Sequence, residues 1–209
     1  MKENGNSLLV EDKSFIDLLT EENLSKIDID PRLIDCFKMV TDKLQTYYNA
    51  NGYTSQRDYK KFFEEYLFKD MDSKLRIRVS DEPSKIGAAG LYMHNQEITE
   101  IHIDETYLNN EETLDSIFCH EFIHFLAMRE LDALEFPDPE IKNGGFINEA
   151  LTEMLTQQIY PNSNSYQPQV NMLKFANLLT GNVNNYSLFL RGKVDCKGGA
   201  SAWNNFFAA

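Results

Sequence analysis

The feature that most constrains this 209-residue chain is the pentapeptide His120-Glu121-Phe122-Ile123-His124. In a helix, residues four apart lie one turn above each other on the same face, with a rise of about 6 Å. Two imidazoles so placed can converge on one ion at Zn–N distances of about 2.0–2.1 Å. The apolar neighbours Ile117, Phe118, Ile123 and Phe125 put the segment in the interior. Two histidines and a glutamate on a buried helix are costly unless something pairs them. The bland alternative is a pair of histidines satisfied by nearby side chains.

Two ligands leave a zinc site incomplete, so a third is expected elsewhere. The segment Gly144-Gly145-Phe146-Ile147-Asn148-Glu149-Ala150-Leu151-Thr152-Glu153 offers one. Ile147, Ala150, Leu151 and Met154 give it an apolar helix face to pack on the motif helix, and Glu149 and Glu153, four apart, then project together. Glu149 is assigned as the third ligand. Glu153 is assigned as the acceptor for a ligand imidazole's free N–H, which fixes the tautomer and ring angle. A swap of the two roles and a solvated acidic face are the alternatives. Asp132 and Asp138 are further ligand candidates, without a helix to hold them. Glu121, one step round from His120, is suited to take a proton from a water and pass it to a leaving amine.

The rest of the chain frames this motif. Phe15, Leu18 and Leu19 share a helix face, and Pro31 with Asp30 before it marks a helix start. Leu33, Phe37, Val40 and Leu44 follow with a helical period until Asn51-Gly52, and Tyr59, Phe62, Phe63, Tyr66 and Leu67 predict another helix. The alternation Leu75-Arg76-Ile77-Arg78-Val79 predicts a strand with one wet face. A second extended piece spans 87–93, and a third centres on Ile98, Ile101 and Ile103. Their connections are too short for helical crossovers, which predicts an antiparallel arrangement. Asn109-Asn110 caps a helix over 111–130, a loop rich in Pro, Asp and Gly covers 136–145, and helices follow from near Ile147 to before Pro161 and over 166–179, the last closed by Gly181. The expected fold class is α+β: a small, mostly antiparallel sheet packed on the motif helix, with helical N-terminal and C-terminal parts. One domain is expected over 1–209, with a helical portion at 1–72 and the sheet and metal-site helices at 73–209.

Composition narrows the partners. A net charge of −13 disfavours nucleic acid, whose phosphates need clustered Lys and Arg. No apolar run is long enough for a bilayer crossing, and the N-terminus is too acidic for a signal peptide, so a cytoplasmic chain, or one exported without such a signal, is expected. The 3 cysteines, Cys36, Cys119 and Cys196, are read as reduced thiols, with Cys119 a packed thiol rather than a nucleophile. A donor for a developing oxyanion is sought in Tyr166, with Tyr160, Tyr186 and Arg191 as rivals.

An HExxH helix followed by a glutamate on a downstream helix resembles the gluzincin clan of zinc metallopeptidases, to which thermolysin belongs. Glu149 and Glu153 are similar to that clan's pattern of ligand plus hydrogen-bonding acid, with Glu where thermolysin-like enzymes have Asp. The resemblance covers roughly 75–179 and implies a zincin-like fold, a Zn2+ cofactor, peptide or protein substrates, and a substrate cleft bordered by a strand, either 90–93 or 98–103. The metzincin extension is absent, since Ala127 and Glu130 stand where it needs Gly and His. The expectation is a zinc-dependent peptidase; the alternative is a zinc-binding or partner-binding domain without turnover, of the kind an effector or toxin delivered into another cell would carry.

Overall fold

The structure is a computed structural model that describes residues 20–50, 75–94, 99–131 and 144–179. The predicted helices around Phe15 and over Tyr59 to Leu67, the 136–145 loop apart from its last two residues, and the tail beyond Leu179 lie outside the described residues.

The chain is α+β, with a four-stranded mixed sheet and six α-helices among the described residues. Thr20 caps the short α1 (Glu21–Leu24) by accepting from the Asn23 N–H, and β1 (Asp28–Ile29) follows. Asp30 accepts from the Arg32 N–H at 3.0 Å, opening a single 3-10 turn at Pro31–Leu33 that runs into α2 (Ile34–Ala50). This is the predicted cap. The predicted stripe is core as well: Leu33, Phe37, Val40 and Leu44 are all fully buried.

β2 (Leu75–Ser80), the short α3 (Glu82–Lys85), β3 (Gly90–His94) and β4 (Thr99–Asp104) build the sheet, in the order β1-β2-β4-β3. The expected antiparallel arrangement is corrected here: β1 with β2 and β2 with β4 are parallel, and only β3 with β4 is antiparallel. From β2 to β3 and from β3 to β4 the chain does reverse direction across short connections, but β3 leaves one strand position open beside β2. β4 then returns through the gap, pointing the same way as β2 without a crossover helix. β1, only two residues long, reaches β2 through a connection that contains α2, the usual route to a parallel pair.

Register sets what each face carries. Ile29, Ile77, Ile101 and Tyr92 are paired in one row across the four strands. The opposite face holds ion pairs of Arg76 with Glu100 and of Arg78 with Asp28. His102 lies there too, between Ser80 Oγ and Glu100 Oε2 at 2.8 and 2.9 Å.

After a 3-10 turn at Glu105–Tyr107, Asn110 accepts from the Thr113 N–H at the start of α4 (Glu111–Leu131). Phe118, Cys119, Phe122, Ile123 and Phe125 are at most 1 % exposed, so this helix is buried nearly all round. It packs on β3 and β4, on α2 and on α5. Phe37 meets Phe118 and Phe122 edge-on at 6.0 and 5.6 Å between centroids, each pair worth about 0.5–1.5 kcal/mol beyond its buried area. α5 (Gly144–Ile159) begins ahead of the predicted Ile147, and α6 (Gln167–Leu179) begins just after Tyr166. No helix among the described residues is long and apolar enough to cross a membrane.

Candidate metal centre

Two packed helices supply the centre. α4 presents His120 and His124 one turn apart, with Nε2 atoms 3.1 Å from each other. α5 presents Glu149, whose Oε2 lies 3.0 Å from His120 Nε2 and 3.1 Å from His124 Nε2. Ala150, Leu151 and Met154 on α5 are buried, the apolar face that docks it, while the Ile147 side chain lies outside the described residues. Both histidines are buried and Glu149 is partly exposed.

The chemistry of these atoms tests whether they suit a cation. Glu153 is fully buried, and its Oε2 lies 3.1 Å from His120 Nδ1. A carboxylate only accepts, so that nitrogen carries hydrogen and the neutral ring turns its lone pair, on Nε2, toward His124 and Glu149. Thr152 Oγ1 stands 3.5 Å from His124 Nδ1 in the corresponding place. The His120 lone pair then faces the Glu149 carboxylate oxygen at 3.0 Å, a contact between electron pairs that a positive ion relieves. His120, His124 and Glu149 each offer a ligand atom within 4.8 Å of the others, and can hold a metal ion. Without one, protons take its part. Burial pushes the His120 imidazolium down, but its hydrogen bonds to Glu149 and Glu153 outweigh that and raise its pKa to about 9. Burial opposes the Glu149 carboxylate, yet His120 and His124 hold it well below the usual carboxylate range.

Of the remaining sequence-predicted residues, Glu121 and Tyr166 border the same place. Glu121 is 8 % exposed and lines a cleft of about 290 Å³ together with His124, Glu149 and Tyr166. Ile86, Ala88, Gly90, Leu91 and Tyr92 form its other wall. Tyr166 adopts φ 51°, a left-handed conformation that costs a non-glycine residue about 1–3 kcal/mol. Its ring stacks on His120 at 5.3 Å between centroids. Burial, with the charges of Glu149 and Glu121, pushes its phenol well above the usual range, so it stays a donor. Of its rivals, Tyr160 is buried beneath Lys43 and is not among the cleft-lining residues; Tyr186 and Arg191 lie outside the described residues, as do Asp132 and Asp138. Cys119 is fully buried, and burial pushes its thiol far up, so it is inert packing.

Several partners were not anticipated from the sequence. Tyr92 stacks on His124, nearly parallel at 6.3 Å. Its pairing with Ile101 puts it on the helix-facing side of the sheet, which strand alternation could have signalled. Ser163 Oγ and Gln157 Nε2 donate to Glu153 Oε1 at 2.7 and 3.3 Å, so both oxygens of that buried carboxylate are engaged. Set against protein-family models, curated proteins and solved structures, the chain matches none of them.

Proposed function

We propose that this chain is a zinc-dependent peptidase of the gluzincin kind, with His120, His124 and Glu149 as ligands and Glu121 as general base. One observation carries the reading: two imidazole nitrogens and a carboxylate oxygen converge at 3.0–3.1 Å, with Glu121, next along the helix, lining the adjoining cleft. Two imidazoles and one carboxylate suit zinc, whereas calcium and magnesium prefer oxygen-only sets. Three protein ligands beside an open cleft are typical of catalytic zinc, and closed four-ligand sites of structural zinc. The HExxH helix, the glutamate helix packed on it and the antiparallel strand bounding the cleft support the zincin-like reading of the fold.

A zinc ion bound there supplies Lewis acidity to a scissile carbonyl and to a water. The chain's own groups do the rest. Glu121 takes the proton of the attacking water and delivers it to the departing nitrogen. The Tyr166 hydroxyl donates to the oxygen that gains charge as water adds to the carbonyl. Glu153 and Thr152 hold the two rings with Nε2 toward the ligand position. β3 has one partner strand among the described residues. Its other edge offers backbone groups beside Glu121, on which an extended peptide can add as a further strand. A metal-binding domain without turnover would have no use for Glu121 at the cleft.

Metal analysis of the purified chain combined with cleavage of an unbiased peptide library tests the reading. One zinc per chain is expected, with cleavage that a chelator abolishes and added zinc restores. Zinc-loaded protein that cleaves no peptide, or protein that takes up no zinc, would overturn it.

A further inference from the structure

We propose that Gly90 is a positioning residue for Glu121: β3 begins without a side chain because the Glu121 side chain, with the Ile117 methyl beside it, occupies the space a Cβ would fill. The proposal rests on the reading of Glu121 as general base. Two glycines flank the approach to β3, and their reasons differ. Gly87 has φ 73°, which favours glycine, while a Cβ built on it would touch nothing within 4 Å. Among the described residues Gly87 is the glycine with positive φ; Gly90 sits opposite Ile103 in the β3–β4 ladder, in a backbone conformation open to any residue. Glycine in a strand interior weakens it and often marks a close approach of another group.

The close approach is explicit. A Cβ on Gly90 would lie 2.8 Å from Glu121 Cγ, 2.8 Å from Glu121 Oε1 and 2.8 Å from Ile117 Cγ2. The two neighbours yield differently. Ile117 is β-branched and buried on α4, with little rotational freedom. The Glu121 carboxylate ends a flexible side chain at the edge of an open cleft, so it turns aside, while the fixed Ile117 methyl is relieved only by a small shift of β3. A methyl group at position 90 therefore drives the carboxylate out of its working place. The metal ligands lie on α4 and α5, and none is among the three nearest atoms that a Gly90 Cβ would meet, so zinc binding should survive. With glycine there, the strand backbone closes over Glu121 and confines the base before any substrate arrives, the preorganisation that a general base needs.

The test compares Gly90→Ala in three backgrounds of the zinc-loaded protein: wild type, Glu121→Ala and Glu121→Gln. In the wild-type background the melting temperature should fall by about 4 °C, kcat at least tenfold, with KM within threefold and zinc still at one per chain. In the Glu121→Ala background the melting loss should be clearly smaller, because one of the two colliding groups is gone and only the Ile117 contact remains. In the Glu121→Gln background Gly90→Ala should cost no further kcat. Equal melting losses with and without the Glu121 side chain would overturn the proposal. So would a kcat loss that persists undiminished beside Glu121→Gln, or loss of zinc in step with activity. Should Gly90→Ala fail to fold, Gly90→Ala/Ile117→Ala, which clears the rigid contact, carries the same comparison. If the wild type itself cleaves nothing, the hydrolytic reading fails, and the melting comparison alone decides whether Gly90 makes room for Glu121.

Discussion

Glu153 Oε2 stands 3.1 Å from His120 Nδ1, and this pairing decides which nitrogen of the ring faces Glu149. The carboxylate is fully buried and is in turn held by Ser163 and Gln157, so it cannot turn away to solvent. His120 is oriented from behind, by a residue outside the His120, His124 and Glu149 group.

Glu153→Gln is expected to weaken zinc binding by about 10–100-fold, because the amide can present its N–H₂ to His120 and favour the wrong tautomer. Competition with a chromophoric chelator measures this. An affinity equal to wild type would show that the His120–Glu153 pair is packing alone.

Glu121→Gln should keep one zinc per chain and lower kcat by about 10²–10⁴-fold, the usual worth of a general base. Metal content and peptide turnover measured on the same sample separate the two effects. Unchanged turnover would remove Glu121 from the reaction.

Tyr166→Phe keeps the ring on His120 and removes only the hydroxyl. The expected loss is about 10²–10³-fold in kcat, as for an oxyanion donor, with zinc affinity little changed. A loss confined to KM would instead make Tyr166 a binding surface.

Removing the metal should invert the slope of stability with pH. In the metal-free chain, against the cost of burial, the hydrogen bonds to Glu149 and Glu153 push the His120 pKa up to about 9, above the value of about 6.5 expected when unfolded. That raised pKa stabilises the metal-free fold fully below about pH 6.5, and the contribution is lost as pH rises through 9, on the order of 3 kcal/mol in total. The zinc-loaded protein requires unprotonated rings and should gain stability over the same range. Denaturant melts at pH 6.5 and 9.5, with and without chelator, check both signs.

Truncating the shared core should unfold the site along with the rest. Phe118→Ala is expected to cost about 3–5 kcal/mol, since its ring is fully buried against Phe37 and Phe122. Denaturant unfolding measures it, and a cost below 1 kcal/mol would show that the surrounding helices close over the gap.

Much of the site was legible because a helix converts spacing along the chain into a shared face. His120 with His124 and Glu149 with Glu153 each follow the four-residue step, and the apolar positions of α5 indicated which way it docks. The stripe from Leu33 to Leu44 was readable for the same reason. Strand direction was not, because alternation says which face a residue occupies but not which neighbour it pairs with. The insertion of β4 between β2 and β3, and a strand as short as Asp28–Ile29, leave no periodic trace. Ser163 and Tyr166 sit in the irregular chain between α5 and α6, where no repeat predicts direction. The left-handed backbone of Tyr166 is invisible in a residue type that normally avoids it.

The strand order also divides the sheet into a firm part and a yielding part. β4 is hydrogen-bonded on both sides, so its amides should exchange with deuterated solvent only when the molecule opens as a whole. β3 is bonded to β4 alone among the described residues, and its outward amides should exchange in the resting protein. A peptide lying along that edge would slow exchange there and leave β4 unaffected, giving a footprint of the occupied cleft that needs no bond to be broken.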